Sequence, residues 1–204
     1  MTALGTFVAS ASDMDFALGP YRVSTALERG RFHARARAGD RTILSALNEE
    51  REAAIAAVVQ AIEVRRSRFF HARSDGLPCA EEYADALAGF AVEGETSLAP
   101  LLAAHLSFPQ ARVEADRLVA AAKVKTGDLW REYVRLGRRL TAVCGLRELS
   151  PEPGMSPLLR AVLTFCELEP GAASDQMMMT LREDFVEGLR ASGWDAWRTY
   201  EAVA

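Results

Sequence analysis

Apolar positions along this chain recur mostly at intervals of three, four or seven residues. Leu44, Leu47, Ala54, Ile55, Val58, Ile62 and Phe69 form the longest such stripe. At helical periodicity it predicts a long helix from about Arg41 to Arg73, which either kinks or forms a spine for shorter helices. A shorter helix is expected at about Tyr21 to Ala38, stopped by Gly39, with Asp40 or Thr42 able to cap the helix after it. Gly76 and Pro78 close the long helix. Further helices are expected at about 79–92, 96–106, 109–125, 128–144, 157–168, 174–191 and 194–203. Ser12 and Asp15 have the spacing of a capping box, Gly127 and Asp128 read as a stop and a new cap, and Pro157 suits a first helical turn. β-Branched runs are short, and no clean alternation with polar residues is read from them, so no strand is expected.

The pattern therefore predicts an all-α protein: an array of about eight to ten helices with short connections around the long helix at 41–73. The Pro/Gly-rich stretch from Ser150 to Met155 divides it into a helical domain at 1–150, whose N-terminal third is basic, and a helical subdomain at 151–204 packed against it. A helical bundle of this kind is large enough to bury a core without disulfides or metals.

Composition and charge refine this picture. The balance of 50% apolar and 25% charged residues is that of a globular protein. No apolar run approaches the length of a membrane span, and no basic residue precedes the apolar stretch near Met1, so a soluble, cytoplasmic protein without a membrane partner is expected. Cys79, Cys144 and Cys166 lie far apart without a CxxC, as expected of buried thiols. Arginine supplies 22 of the 24 basic side chains. Residues 22–73 hold 11 of them against six acids, whereas 74–204 is acidic, so the N-terminal third is suited to an acidic partner or to self-association.

Four constellations carry candidate chemistry. Arg29 to Arg35 and Arg66 to Arg73 form a pseudo-repeat that sets His33 and His71 beside Phe and Arg side chains. In the second copy, Arg66 and His71 resemble the Arg-x4-His element of HEPN ribonucleases, which are all-helical. That resemblance implies RNA cleavage, with Arg66 stabilising the phosphorane and His71 moving the proton. No second element accompanies it. Arg131, Arg135, Arg138 and Arg139 share one face of the helix at 128–144, opposite Trp130, Tyr133, Gly137, Leu140 and Cys144, and could contact an anion or a partner. Met177 to Met179 form an adaptable surface, and Trp194 and Trp197 are anchors either for the protein's own core, which is favoured, or for a partner, with Met178 as a further partner anchor.

His33, His71 and His105 have no Glu three residues before them, which excludes a ferritin-like di-iron site; no metal site is expected. Nor is any cofactor, because phosphate-binding loops and dinucleotide fingerprints are missing. Serine nucleophile elbows are missing too. No basic recognition helix near either terminus marks a helix-turn-helix reader. The leading expectation is a non-enzymatic interaction protein: an adaptor, an assembly chaperone or a subunit of a larger complex. Nucleic-acid binding or RNA cleavage through the basic third is the alternative, and a helical domain binding a small ligand is the third.

Overall fold

The computed structural model describes residues 16–91, 98–146, 157–171, 176–195 and 197–198. It is mixed α and β, not all-α. The capping box at Ser12, the break at 150–155 and most of the helix expected at 194–203 lie outside the described residues.

The expected helix at 21–38 is a β-hairpin. Four strands, β1 (Phe16–Leu18), β2 (Tyr21–Glu28), β3 (Arg31–Ala38) and β4 (Arg41–Asn48), form an antiparallel meander in sequence order. Alternation explains it. Phe32, Ala34, Ala36 and Ala38 point to one face and Arg31, His33, Arg35 and Arg37 to the other. On β2, Tyr21, Val23 and Thr25 are buried on the same inner face. The chain reverses between β2 and β3 at Arg29 and Gly30, both at positive φ, the two-residue geometry that matches strand twist. Gly30→Ala is expected to cost about 1 kcal/mol by urea denaturation, since a Cβ disfavours that conformation; an unchanged midpoint would show the turn to be indifferent.

The expected 41–73 helix divides into β4 and a 22-residue helix, α1 (Arg51–Ala72). The break falls at Asn48 to Glu50, where the Asn48 side-chain oxygen accepts the Glu50 N–H at 3.1 Å and turns the backbone before the helix starts. Ala54, Val58, Ile62 and Phe69 are the buried positions of α1. The first three pack on Ala34, Ala36 and Ala38, whose small side chains let the helix approach closely. Burying Val58 and Ile62 contributes about 1.5–3 kcal/mol each. Leu44 is half-buried towards this core, whereas Leu47, three residues on, faces outward at 52% exposure.

Two helices follow much as the pattern predicts, α2 (Ala80–Ala91) and α3 (Leu98–Ser107). The expected helix at 109–125 is instead a short 3-10 turn, strand β5 (Arg112–Glu114) and helix α4 (Ala115–Ala122). The helix α5 (Thr126–Cys144) agrees with expectation to within two residues at its start. In place of the helix expected at 157–168 there are two 3-10 turns and the start of β6 (Cys166–Pro170). In place of that at 174–191 there are β7 (Met177–Leu181) and α6 (Glu183–Ala191). Strands β5, β7 and β6 form a second antiparallel sheet in that order.

The first sheet and α1 share one apolar cluster; the remaining elements share a larger one centred on Tyr133, Phe165 and Phe185. Specific contacts join the two. Gly39 sits so close to α2 that a Cβ there would stand 2.1 Å from the Ala88 carbonyl oxygen. Tyr21 donates to the Asp85 carboxylate at 2.6 Å, and Arg65 forks onto the same carboxylate at 2.8 and 3.2 Å. Arg73 pairs with Glu82 and donates to the Cys144 carbonyl at 2.6 Å.

Candidate functional site

Helices α4 and α5 are joined by a turn of three residues, Lys123 to Lys125. Lys123 takes the left-handed conformation, at φ 55°, and its N–H closes the end of α4 onto Ala120 and Val119 carbonyls. Lys125 is the N-cap of α5. Leu118 on α4 and Leu129 on α5 are fully buried, and Val119, Ala122 and Val124 pack against the same cluster. They hold the two helices as a helix-turn-helix against Leu98, Leu101, Leu102 and His105 of α3.

Within this cluster His105 is buried and neutral. The Met179 carbonyl, 3.3 Å away, can only accept, so Nε2 carries the proton and Nδ1 accepts the Tyr133 hydroxyl at 2.9 Å. Burial lowers the His105 pKa to about 4, against opposing backbone contacts from Met179 and Ala111.

Because Leu129, Tyr133, Leu136, Leu140 and Cys144 face the core, the opposite side of α5 is forced outward. It presents Arg131, Arg135 and Arg138 to solvent, with Arg139 half-buried and its guanidinium 4.0 Å from the Phe90 ring centre. Thus the four arginines predicted from sequence lie together on one surface. Arg131 pairs with Asp128 at 2.9 Å and reaches buried Glu132 at 3.3 Å. Arg135 lies 2.7 Å from the second Glu132 oxygen, within ion-pair range but without hydrogen-bond alignment. Each guanidinium has five N–H donors, more than one ion pair uses.

Sequence reasoning placed this turn three residues late, at Thr126 to Asp128, and gave its lysines no role. Lys123 and Lys125, both exposed, are the only lysines in the chain, and their concentration two residues apart was the available signal. Residues 115–139 hold seven basic side chains and three acidic ones, within a chain of net charge −4. The hairpin β6–β7 next to this unit is not basic: Glu167 and Glu169 pair with Arg182 and Arg112, each at 2.8 Å.

The other predicted residues do not assemble. Arg66 lines a cleft between α1, α2 and the end of α5, with Phe69, Arg73, Glu82 and Asp85, and His71 does not line it. His71 is exposed, its Nδ1 donating to the Ser67 carbonyl at 2.6 Å; on an α-helix, positions five apart point about 140° away from each other. Trp194 and Trp197 are each 3% exposed, packed in the protein's own core. The three methionines form a strand, with Met179 buried and Met178 half-buried on the opposite face. His33 binds Glu28 at 2.9 Å on the outer sheet face, and holds the Glu28 carboxyl below its usual range.

Among the described residues no group of three or more His, Cys, Asp and Glu could hold a metal ion, and no helix is long and apolar enough to cross a membrane. Comparison with protein-family models, with curated proteins and with solved structures finds no match to this chain.

Proposed function

We propose that this protein binds double-stranded DNA through a winged helix-turn-helix, with α5 as the helix that enters the major groove. The support is topological and electrostatic. From α3 to β7 the chain runs helix, strand, helix, turn, helix, strand, strand, with β7 between β5 and β6. In a helix-turn-helix the second helix meets the base edges and the surrounding basic groups hold the phosphates. The observation that carries the reading is the exposed row Arg131, Arg135 and Arg138 on that second helix, beside Lys123 and Lys125 on the turn. The activity is binding, with no catalytic step. It requires a compartment that holds DNA; the cytoplasm also suits three thiols that form no disulfide.

The test is fluorescence anisotropy on a duplex of mixed sequence over a range of salt. With about four phosphate contacts, affinity should fall by about a hundredfold between 50 and 200 mM salt. Replacing Arg131 and Arg135 together by alanine should weaken low-salt binding by more than about tenfold. Absence of binding at low salt, or equal binding by the variant, sinks the proposal.

A protein partner or self-association is the second reading. Val64 and Phe70 favour it, apolar side chains 66% and 68% exposed on α1. Sedimentation that returns only monomer at every concentration removes self-association.

A further inference from the structure

The geometry points to the open edge of the first sheet, with the flank of α1 above it, as the face through which two copies of this chain pair about a two-fold axis. This inference rests on the self-association reading above and supplies its surface, which is separate from the arginine row of α5.

The edge itself invites a strand. β4 is the last strand of its sheet, and among the described residues no strand pairs with its outer side. Thr42 to Leu47 hold neither charge nor proline, the usual means of keeping an edge from pairing. Arg41, at the start of the strand, is drawn away to the Ala191 carbonyl at 2.7 Å. The register skips Ile43, an irregularity of the kind that blunts edges, yet Leu44 to Asn48 pair regularly with β3. A second β4 laid antiparallel along that stretch satisfies the backbone groups at its rim. It also gives Leu47, exposed on the outer face, side-chain neighbours from the other copy.

The position of α1 fits the same axis. The helix lies over β3 and β4 in equal measure. With strands about 4.8 Å apart, its axis stands about 5 Å from the two-fold axis, and the two copies of α1 about 10 Å from each other. Helices pack at about 8–10 Å, so pairing of the strands brings the helices into contact as well.

The flank of α1 is complementary to itself. Glu50, Ala53, Ala57, Ala61, Val64 and Arg68 recur three or four residues apart along one side. Ala57, Ala61, Val64 and Arg68 line a depression of about 490 Å³ together with Gln60, Arg65 and Leu44 of β4. An exposed acid stands at the N-terminal end of the row and an exposed base at the C-terminal end, with small and apolar side chains between them. In antiparallel pairing Glu50 of each copy meets Arg68 of the other, twice per dimer, as an isologous interface requires. Arg68 already pairs with Glu81, both more than half exposed, and its guanidinium has further N–H donors for a second carboxylate.

The test is sedimentation of the full chain over a range of concentrations, with Glu50→Arg and Arg68→Glu made as separate variants. Each sets like charges against each other at both contacts, so each should dimerise at least about tenfold more weakly than the wild type. An equimolar mixture of the two should recover dimer to within about threefold of the wild type, since every contact in the mixed dimer again joins opposite charges. A folding defect in either variant cannot produce that recovery. Ala57→Glu with Val64→Glu, both at exposed positions, should dimerise more than about a hundredfold more weakly, with an unchanged circular dichroism spectrum.

If the wild type dimerises and none of these variants weakens it, self-association stands on another surface and this one is overturned. A mixture no more dimeric than its two components overturns it too. Monomer at every concentration removes the self-association reading and this inference with it, the edge then being covered within one chain or by a different protein.

Discussion

Asp85→Ala should lower the unfolding free energy by about 3 kcal/mol, the lower part of the range for breaking a buried ion pair by removing one partner. Asp85 is 1% exposed and accepts from both Tyr21 and Arg65. Its loss leaves a buried hydroxyl and a largely buried guanidinium facing an empty space. Burial and the bond to Asp85 raise the Tyr21 pKa, so the phenol stays neutral and cannot offset the stranded Arg65 charge. Some of the penalty is relieved because Arg65 keeps 21% side-chain exposure. Urea unfolding followed by circular dichroism should show a lower midpoint with an unchanged slope. Tyr21→Phe alone should cost only about 1 kcal/mol, one net hydrogen bond. Replacing all three groups by apolar residues of similar volume should recover much of the loss, as buried ion pairs often allow. A loss under about 1 kcal/mol in Asp85→Ala would mean that the two apolar clusters are held together without this network.

The second large effect is acid sensitivity through His105. The folded protein keeps this imidazole neutral down to about pH 4, whereas the unfolded chain protonates it near its ordinary value of about 6.5. Between those values the unfolded state binds more protons, so stability rises with pH across the window. The contribution is fully present above about pH 6.5 and declines as the pH falls towards 4. A shift of this size corresponds to about 3 kcal/mol, of which most should be lost by about pH 4.5. The check is urea unfolding of the wild type and of His105→Phe at neutral pH and near pH 4.5; the variant should lose about 2–3 kcal/mol less on acidification. Because that variant removes two hydrogen bonds and could fail to fold, the His105 ring resonances of the wild type supply an independent reading. Movement of those resonances around pH 6.5 would refute a neutral buried imidazole.

The helical parts of the fold were legible where the periodicity was strong and the punctuation clear. α2, α3 and α5 lie close to their expected bounds, since glycine, proline and an acidic first turn marked their ends. The first sheet was not legible because its inner face is built from alanine. Ala34, Ala36 and Ala38 read as helix formers, yet their buried face depends on period-two alternation with Arg31, His33, Arg35 and Arg37. Propensity was outweighed by the helix they receive, α1, which needs small residues beneath it. β4 was hidden differently: Leu44 and Leu47 continue the stripe of α1 at helical spacing, although they point to opposite faces of a strand. β7 was lost among Met177 to Met179, because methionine is a good helix former and the run reads as part of a helix.

The candidate site was half legible. The arginine row of α5 followed directly from its amphipathic spacing. What sequence could not supply was context, because Val113 of β5 and Met179 of β7 lie 66 residues apart along the chain yet pair, and that pairing sets a sheet beside α4 and α5. Trp194 and Trp197, which the sequence offered to the protein's own core or to a partner, lie in the core, each 3% exposed.

The rarity of lysine has a practical corollary. Apart from the α-amino group, the chain carries primary amines only at Lys123 and Lys125, both exposed on one turn. Among side chains, an amine-selective dye or crosslinker therefore reacts at this turn alone. Acetylation of the same two residues would remove two positive charges from the turn in one step and leave every arginine ion pair in the protein intact.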